Sequence, residues 1–149
     1  MQDKPVATPY WLIAATFVGL GDTLFLSYNH LLGIVPGCSI IRGCEVVLTS
    51  KYSMVFGVPF AYLGLIFYAY MLGLGIMLAI DPRSLGLRVG ALIYTAIGLL
   101  CSIGFESLQI FVIGAICQYC LLSAITTLAL FSIAVWHFRL TKSPHQRRL

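Results

Sequence analysis

The chain has 149 residues, of which 60% are hydrophobic and 9% charged, with a net charge of +4 and a mean hydropathy of +0.96. Soluble domains carry about 25% charged residues, so a water-soluble globule is excluded and an integral membrane protein is indicated. The surplus positive charge sits largely in the tail 139–149, which reads as an anchor beside anionic lipid rather than as a nucleic-acid patch.

The first apolar block, about 10–32, meets the roughly 20 residues needed to cross a bilayer. It also exceeds the apolar core of about 7–15 residues in a cleaved signal peptide, so it is expected to be retained as a span. Asp22 and Asn29 fall on one face of it, and a carboxylate in lipid is costly enough to count as a functional candidate. His30 closes the block at the outer surface, where it either steadies a thiolate or a carbonyl or is simply half-solvated.

The outer loop 33–57 follows. Its first half is rich in turn residues, carries Cys38 and Cys44, and is expected to be mobile. Its second half mixes Val46, Val47 and Leu48 with Thr49, Ser50 and Lys51, which suits a short helix or turn on the outer surface. Pro59 fits the first turn of the second span, about 58–80, because its missing N–H costs nothing there. Gly73 and Gly75 lie inside that span with no strand before them, so they read as packing positions and not as a nucleotide loop.

After a short inner loop, 81–88, the apolar block 89–138 is long enough to cross twice. Gly114, flanked by Gln109 and Gln118, marks the reversal. This gives a third span at about 89–113 and a fourth at about 116–138. Ser102, Glu106 and Gln109 form a second polar stripe, whereas Cys101 reads as a small apolar side chain. These two stripes, with Asp22, Asn29 and Glu106 on them, either line a pocket or pass protons, or else hydrogen-bond neighbouring helices with the acids neutral.

The expected fold is all-α: one domain, 1–149, forming a bundle of four transmembrane helices with one long outer loop carrying a short surface helix. Lys4, Arg83, Arg88, Arg139, Lys142, Arg147 and Arg148 fall on the side of the termini, against Arg42 and Lys51 on the other. Positive-inside then places the termini in the cytoplasm and the loop outside a plasma membrane.

That topology brings Cys38/Cys44 and Cys117/Cys120 to the same face. Cys117 and Cys120 open the fourth span, where free N–H groups and the helix dipole favour a thiolate. Two dithiols that meet at a membrane surface suit an electron relay. Their electrons need an acceptor, and a two-electron membrane quinone, ubiquinone or menaquinone, matches the stoichiometry. A zinc site is disfavoured by the loose C-x5-C spacing, and haem attachment by Leu121 in place of the required histidine. No other metal, and no nucleic-acid partner, is indicated. The rival reading is a non-catalytic membrane scaffold whose disulfides staple the loop.

Four segments, in this order and spacing, resemble the bacterial and archaeal homologues of vitamin K epoxide reductase. They are GDTLFLSYNH (21–30), CSIIRGCEVV (38–47), SKYS followed by FGVP (50–59), and ICQYCLLSA (116–124). The DsbB-type disulfide generators also have four spans, but their two cysteine pairs come in the reverse order. The resemblance implies a four-helix bundle around a quinone near the outer face. It implies that Cys120 faces the quinone, that Cys117 exchanges with the loop, and that Cys38 and Cys44 shuttle electrons. Ser50 matches a serine kept close to the active site. A separate thioredoxin-like (DsbA-like) partner is implied, the chain being read as a stand-alone form. Ala124 stands where animal enzymes place a tyrosine, so a plain quinone is expected as substrate in place of vitamin K epoxide.

Overall fold

The structure, a computed structural model, describes residues 7–141. Lys4, Lys142, Arg147 and Arg148, all part of the charge count, lie outside the described residues. Among the described residues, four helices are long and apolar enough to cross a membrane. They are α1 (Thr8–Leu31), α3 (Phe60–Ile80), α4 (Leu85–Leu108, extended by a π-helical turn Gln109–Ile113) and α5 (Gln118–Leu140). Helices satisfy every backbone donor within one segment, which is why an apolar chain in lipid adopts them. The fold is the expected four-helix bundle.

Helix α1 packs chiefly on α3 and α5, and α4 on α5. The bundle core gathers Leu12, Tyr68, Met71, Leu78, Ala91 and Leu130. Tyr68 is sealed from solvent, and its hydroxyl reaches the Ser123 carbonyl oxygen at 2.9 Å and Thr127 Oγ1 at 3.1 Å. Its ring lies where a Cβ on Gly19 would stand, so a small residue there lets α1 and α3 close up. Gly75 does the same against Ile13, whereas Gly73 faces open space; only one of the pair is a packing position.

A polar knot closes the end of the bundle where α1 starts and α5 finishes. His137 is held between the Thr8 hydroxyl and the Pro82 carbonyl oxygen. Arg88 donates to the Phe138 carbonyl oxygen at 2.7 Å and lies over that residue's ring. Arg88, read from sequence as a loop charge, is therefore buried in the first turn of α4, which starts at Leu85 and not at 89.

At the opposite end, the second half of the long loop carries the short helix expected of it. It forms helix α2 (Cys44–Thr49), a 3₁₀ turn (Lys51–Ser53) and a small hairpin of β1 (Met54–Val55) and β2 (Val58–Pro59). Phe56 and Gly57 form the tip with φ of +51° and +82°. Pro59 belongs to that hairpin and precedes α3, because its ψ of 136° is extended and not helical. The reversal between α4 and α5 falls at Gly114, whose φ of +70° suits glycine.

Candidate active site: two dithiols beside a membrane cavity

Cys38 and Cys44 are joined as a disulfide with Cα atoms 5.4 Å apart. Cys44 opens α2, and its backbone N–H donates to Cys38 Sγ at 3.2 Å. Cys117 and Cys120 are free thiols. Cys117 occupies the N-cap of α5 with extended backbone, and Cys120 lies within the first turn.

The two pairs share one apolar cluster. Cys44 and Cys117 are both completely buried in it beside Val47 and Phe105, with Cys38 and Cys120 packed against its edge. Cys38 is only partly buried. The loop carrying one dithiol is therefore docked onto the helix tip carrying the other.

Local hydrogen bonding fixes the helix tip. The side chain of Gln109, fully buried, accepts the Cys117 backbone N–H on Oε1 at 2.8 Å and donates through Nε2 to Glu106 Oε1 at 3.3 Å. Its backbone carbonyl oxygen accepts the N–H of Ala115 at 3.2 Å. Gln109 stands at the start of the π-helical turn, a distortion often found at functional positions. The Cys120 thiol donates to Cys117 and draws its pKa below the ordinary thiol value; burial opposes this, and the backbone N–H groups of Cys120 and Tyr119 reinforce it.

Behind Cys120 lies a cavity of about 110 Å³, comparable with the ~150 Å³ void that accommodates benzene in an engineered apolar core. Phe60 and Phe105, stacked at 4.3 Å, contribute to its wall. Asp22, Glu106, His30 and Ser123 bring polar groups to it. Asp22 is buried, and its Oδ2 has no hydrogen-bond partner. Apolar walls with a few convergent polar atoms are the usual make-up of a small-ligand site.

Two candidates stand elsewhere. The amide of Asn29 donates to its own helix, to the Phe25 carbonyl oxygen at 2.8 Å, and does not line the cavity. Ser50 caps α2, donating to the Val47 carbonyl oxygen at 2.8 Å, while Ser53 reaches the cavity wall instead. Cys101 is exposed on the outside of α4. Sequence reading gave Gln109 a place on the polar stripe but no bond to Cys117, and assigned no site role to Gln118, Tyr119 or Phe105. For Gln109, Gln118 and Tyr119, nearness to the C-x-x-C was the available signal.

The family model described as "Vitamin K epoxide reductase family" matches residues 10–135. The chain belongs to that family. A similar protein is the thiol-disulfide oxidoreductase LTO1 of Arabidopsis thaliana, 30% identical over 121 residues, or 76% of this chain and 32% of that protein. The chain thus spans about a third of the length of the curated relative it matches. The family match runs from α1 through most of α5, so it takes in both cysteine pairs and the cavity of this vitamin K epoxide reductase family member.

Proposed function

We propose that this protein is a quinone-dependent thiol oxidoreductase that drives disulfide formation on the outer face of a plasma membrane, with its termini in the cytoplasm. The observation that carries the reading is the burial of Cys44 and Cys117 in one cluster, with Cys120 lining the adjoining cavity. A thioredoxin-like dithiol protein is the electron donor.

The chemistry follows from exposure. Cys38, the more accessible loop sulfur, receives a donor thiolate; the Cys38–Cys44 bond breaks and Cys44 leaves as thiolate. The donor's second thiol then closes the donor disulfide and frees Cys38. Cys44 attacks the oxidised form of the C-x-x-C at Cys117, forming a Cys44–Cys117 bond and releasing Cys120. Cys38 attacks Cys44 in turn, restoring the loop disulfide and expelling Cys117 as thiolate. The lowered pKa of Cys117 makes it a good leaving group.

The cavity residues fit a quinone ring: the Phe60 and Phe105 rings supply apolar walls, and Asp22 and Glu106 in the lining supply proton donors or acceptors. A bound quinone is a two-electron, two-proton acceptor. Closing the Cys117–Cys120 disulfide releases two electrons and two protons, and Asp22 and Glu106 are placed to hand the protons on. Ala124 lies where a tyrosine would accompany epoxide chemistry, which favours a plain quinone as substrate.

Titrating free thiols while a short-chain quinone is added to the reduced protein tests the reading. Turnover of Cys117 and Cys120, abolished by Cys120→Ser, is expected. Thiols that stay unchanged would leave the cysteines as loop staples.

A further inference from the structure

The two residues inside the C-x-x-C, Gln118 and Tyr119, point toward the loop. Gln118 Oε1 accepts the backbone N–H of Ile40 at 3.0 Å, and its Nε2 donates to Ser39 Oγ at 3.3 Å. The Tyr119 hydroxyl donates to the Gly37 carbonyl oxygen at 3.4 Å. These contacts flank Cys38 on both sides. At the other end of the segment enclosed by the loop disulfide, next to Cys44, Gly43 adopts φ +155° and abuts the backbone of Ile116; a Cβ there would stand 2.7 Å from the Ile116 carbonyl oxygen. The residues from 115 to 119 therefore meet the loop just before Cys38, at Gly37, and within the segment that the Cys38–Cys44 bridge encloses, at Ser39, Ile40 and Gly43.

We infer that Gln118 and Tyr119 form a latch that seats the shuttle loop on Cys117, making them positioning residues for the transfer between the two dithiols. The inference rests on the relay reading above. No latch bond involves a sulfur atom, so the thiol–disulfide exchange does not itself break any of them. The latch thus keeps Cys44 beside Cys117 while the loop disulfide opens and closes. Tyr119 also borders the cavity and packs against Phe25 at 5.5 Å between ring centroids, so one residue touches both the loop and the quinone side. Gln118 does not line the cavity, which makes it the cleaner probe.

The test mixes the fully reduced protein with a short-chain ubiquinone. Each dithiol gives two electrons and two protons to one quinone, so reduction has two phases. The first empties Cys117/Cys120 directly, and the second needs the loop to hand its electrons to the newly formed Cys117–Cys120 disulfide. Gln118→Ala should leave the first phase intact and slow the second by about tenfold to a hundredfold, the usual cost of a small misplacement of reacting groups. Gln118→Glu keeps an acceptor for Ile40 and for the Ser39 hydroxyl, and should restore the second phase. A second phase at the wild-type rate in Gln118→Ala, or an equal loss of both phases, overturns the latch. A second measurement does not need quinone. In a Cys38→Ser, Cys120→Ser background, the rate at which a mild oxidant links Cys44 to Cys117 should fall when Gln118→Ala is added, and an unchanged rate again overturns the latch. Wild-type protein that reduces no quinone would count against the relay, leaving that linking rate to decide the latch by itself.

Discussion

Gln109 Oε1 accepts the backbone N–H of Cys117 at 2.8 Å across the turn that joins α4 to α5. One amide thereby ties the carboxyl of Glu106 to the residue that opens the C-x-x-C. Both partners are sealed from solvent, so the bond has no water to replace it.

Gln109→Leu should therefore leave a buried N–H unpaired, at a cost of about 1–3 kcal/mol. Thermal unfolding in detergent is expected to show a lower midpoint. Gln109→Glu keeps an acceptor for Cys117 and should be milder unless its new charge meets Glu106 ionised. An unaltered midpoint in Gln109→Leu would mean that the turn holds without this bond.

Cys117 should titrate below the ordinary thiol value of about 8.5, because hydrogen bonding from the Cys120 thiol favours its thiolate. The sign is fixed by the donor: stabilising the anion lowers the pKa, so thiolate survives to lower pH and is lost only as pH falls through the depressed value. Thiolate absorbance followed against pH should show that low midpoint, and Cys117→Ser should remove it. Cys120→Ala takes away the strongest lowering influence and should move the midpoint upward. A midpoint that ignores Cys120→Ala would contradict the assigned donor.

Much of this was legible in the chain before any coordinates. Apolar length gives the four spans, and the reversal at Gly114 follows from a block too long for one crossing. The polar residues Asp22 and Glu106 stand out because lipid penalises them, and both reach the cavity. Asn29 shares a helical face with Asp22, yet its amide turns back to the Phe25 carbonyl oxygen; heptad spacing fixes the face of a residue but not what its side chain bonds. The hairpin at 54–59 escaped notice because two-residue strands carry too little alternation to read. Gln118 meets Ile40 and Ser39 across nearly eighty positions of sequence, and no local pattern encodes such a contact.

Asp22→Asn and Glu106→Gln test the proton path. Each keeps size and polarity while removing an ionisable group, so the bundle should fold and Cys117/Cys120 should still be oxidisable by a soluble oxidant such as diamide. Reduction of a short-chain quinone should slow in both variants, by roughly the 10²-fold lower bound typical of lost acid–base assistance. Unchanged rates in both would assign the two acids to helix packing alone.

Cross-linking of Cys44 to Cys117 tests the central claim most directly. The doubly substituted Cys38→Ser, Cys120→Ser protein retains one sulfur from each pair, and mild oxidation followed by mass spectrometry of its peptides reports what they join. The account requires an intramolecular Cys44–Cys117 disulfide in nearly every molecule. Failure of those two sulfurs to join, with only intermolecular dimers formed, would contradict it.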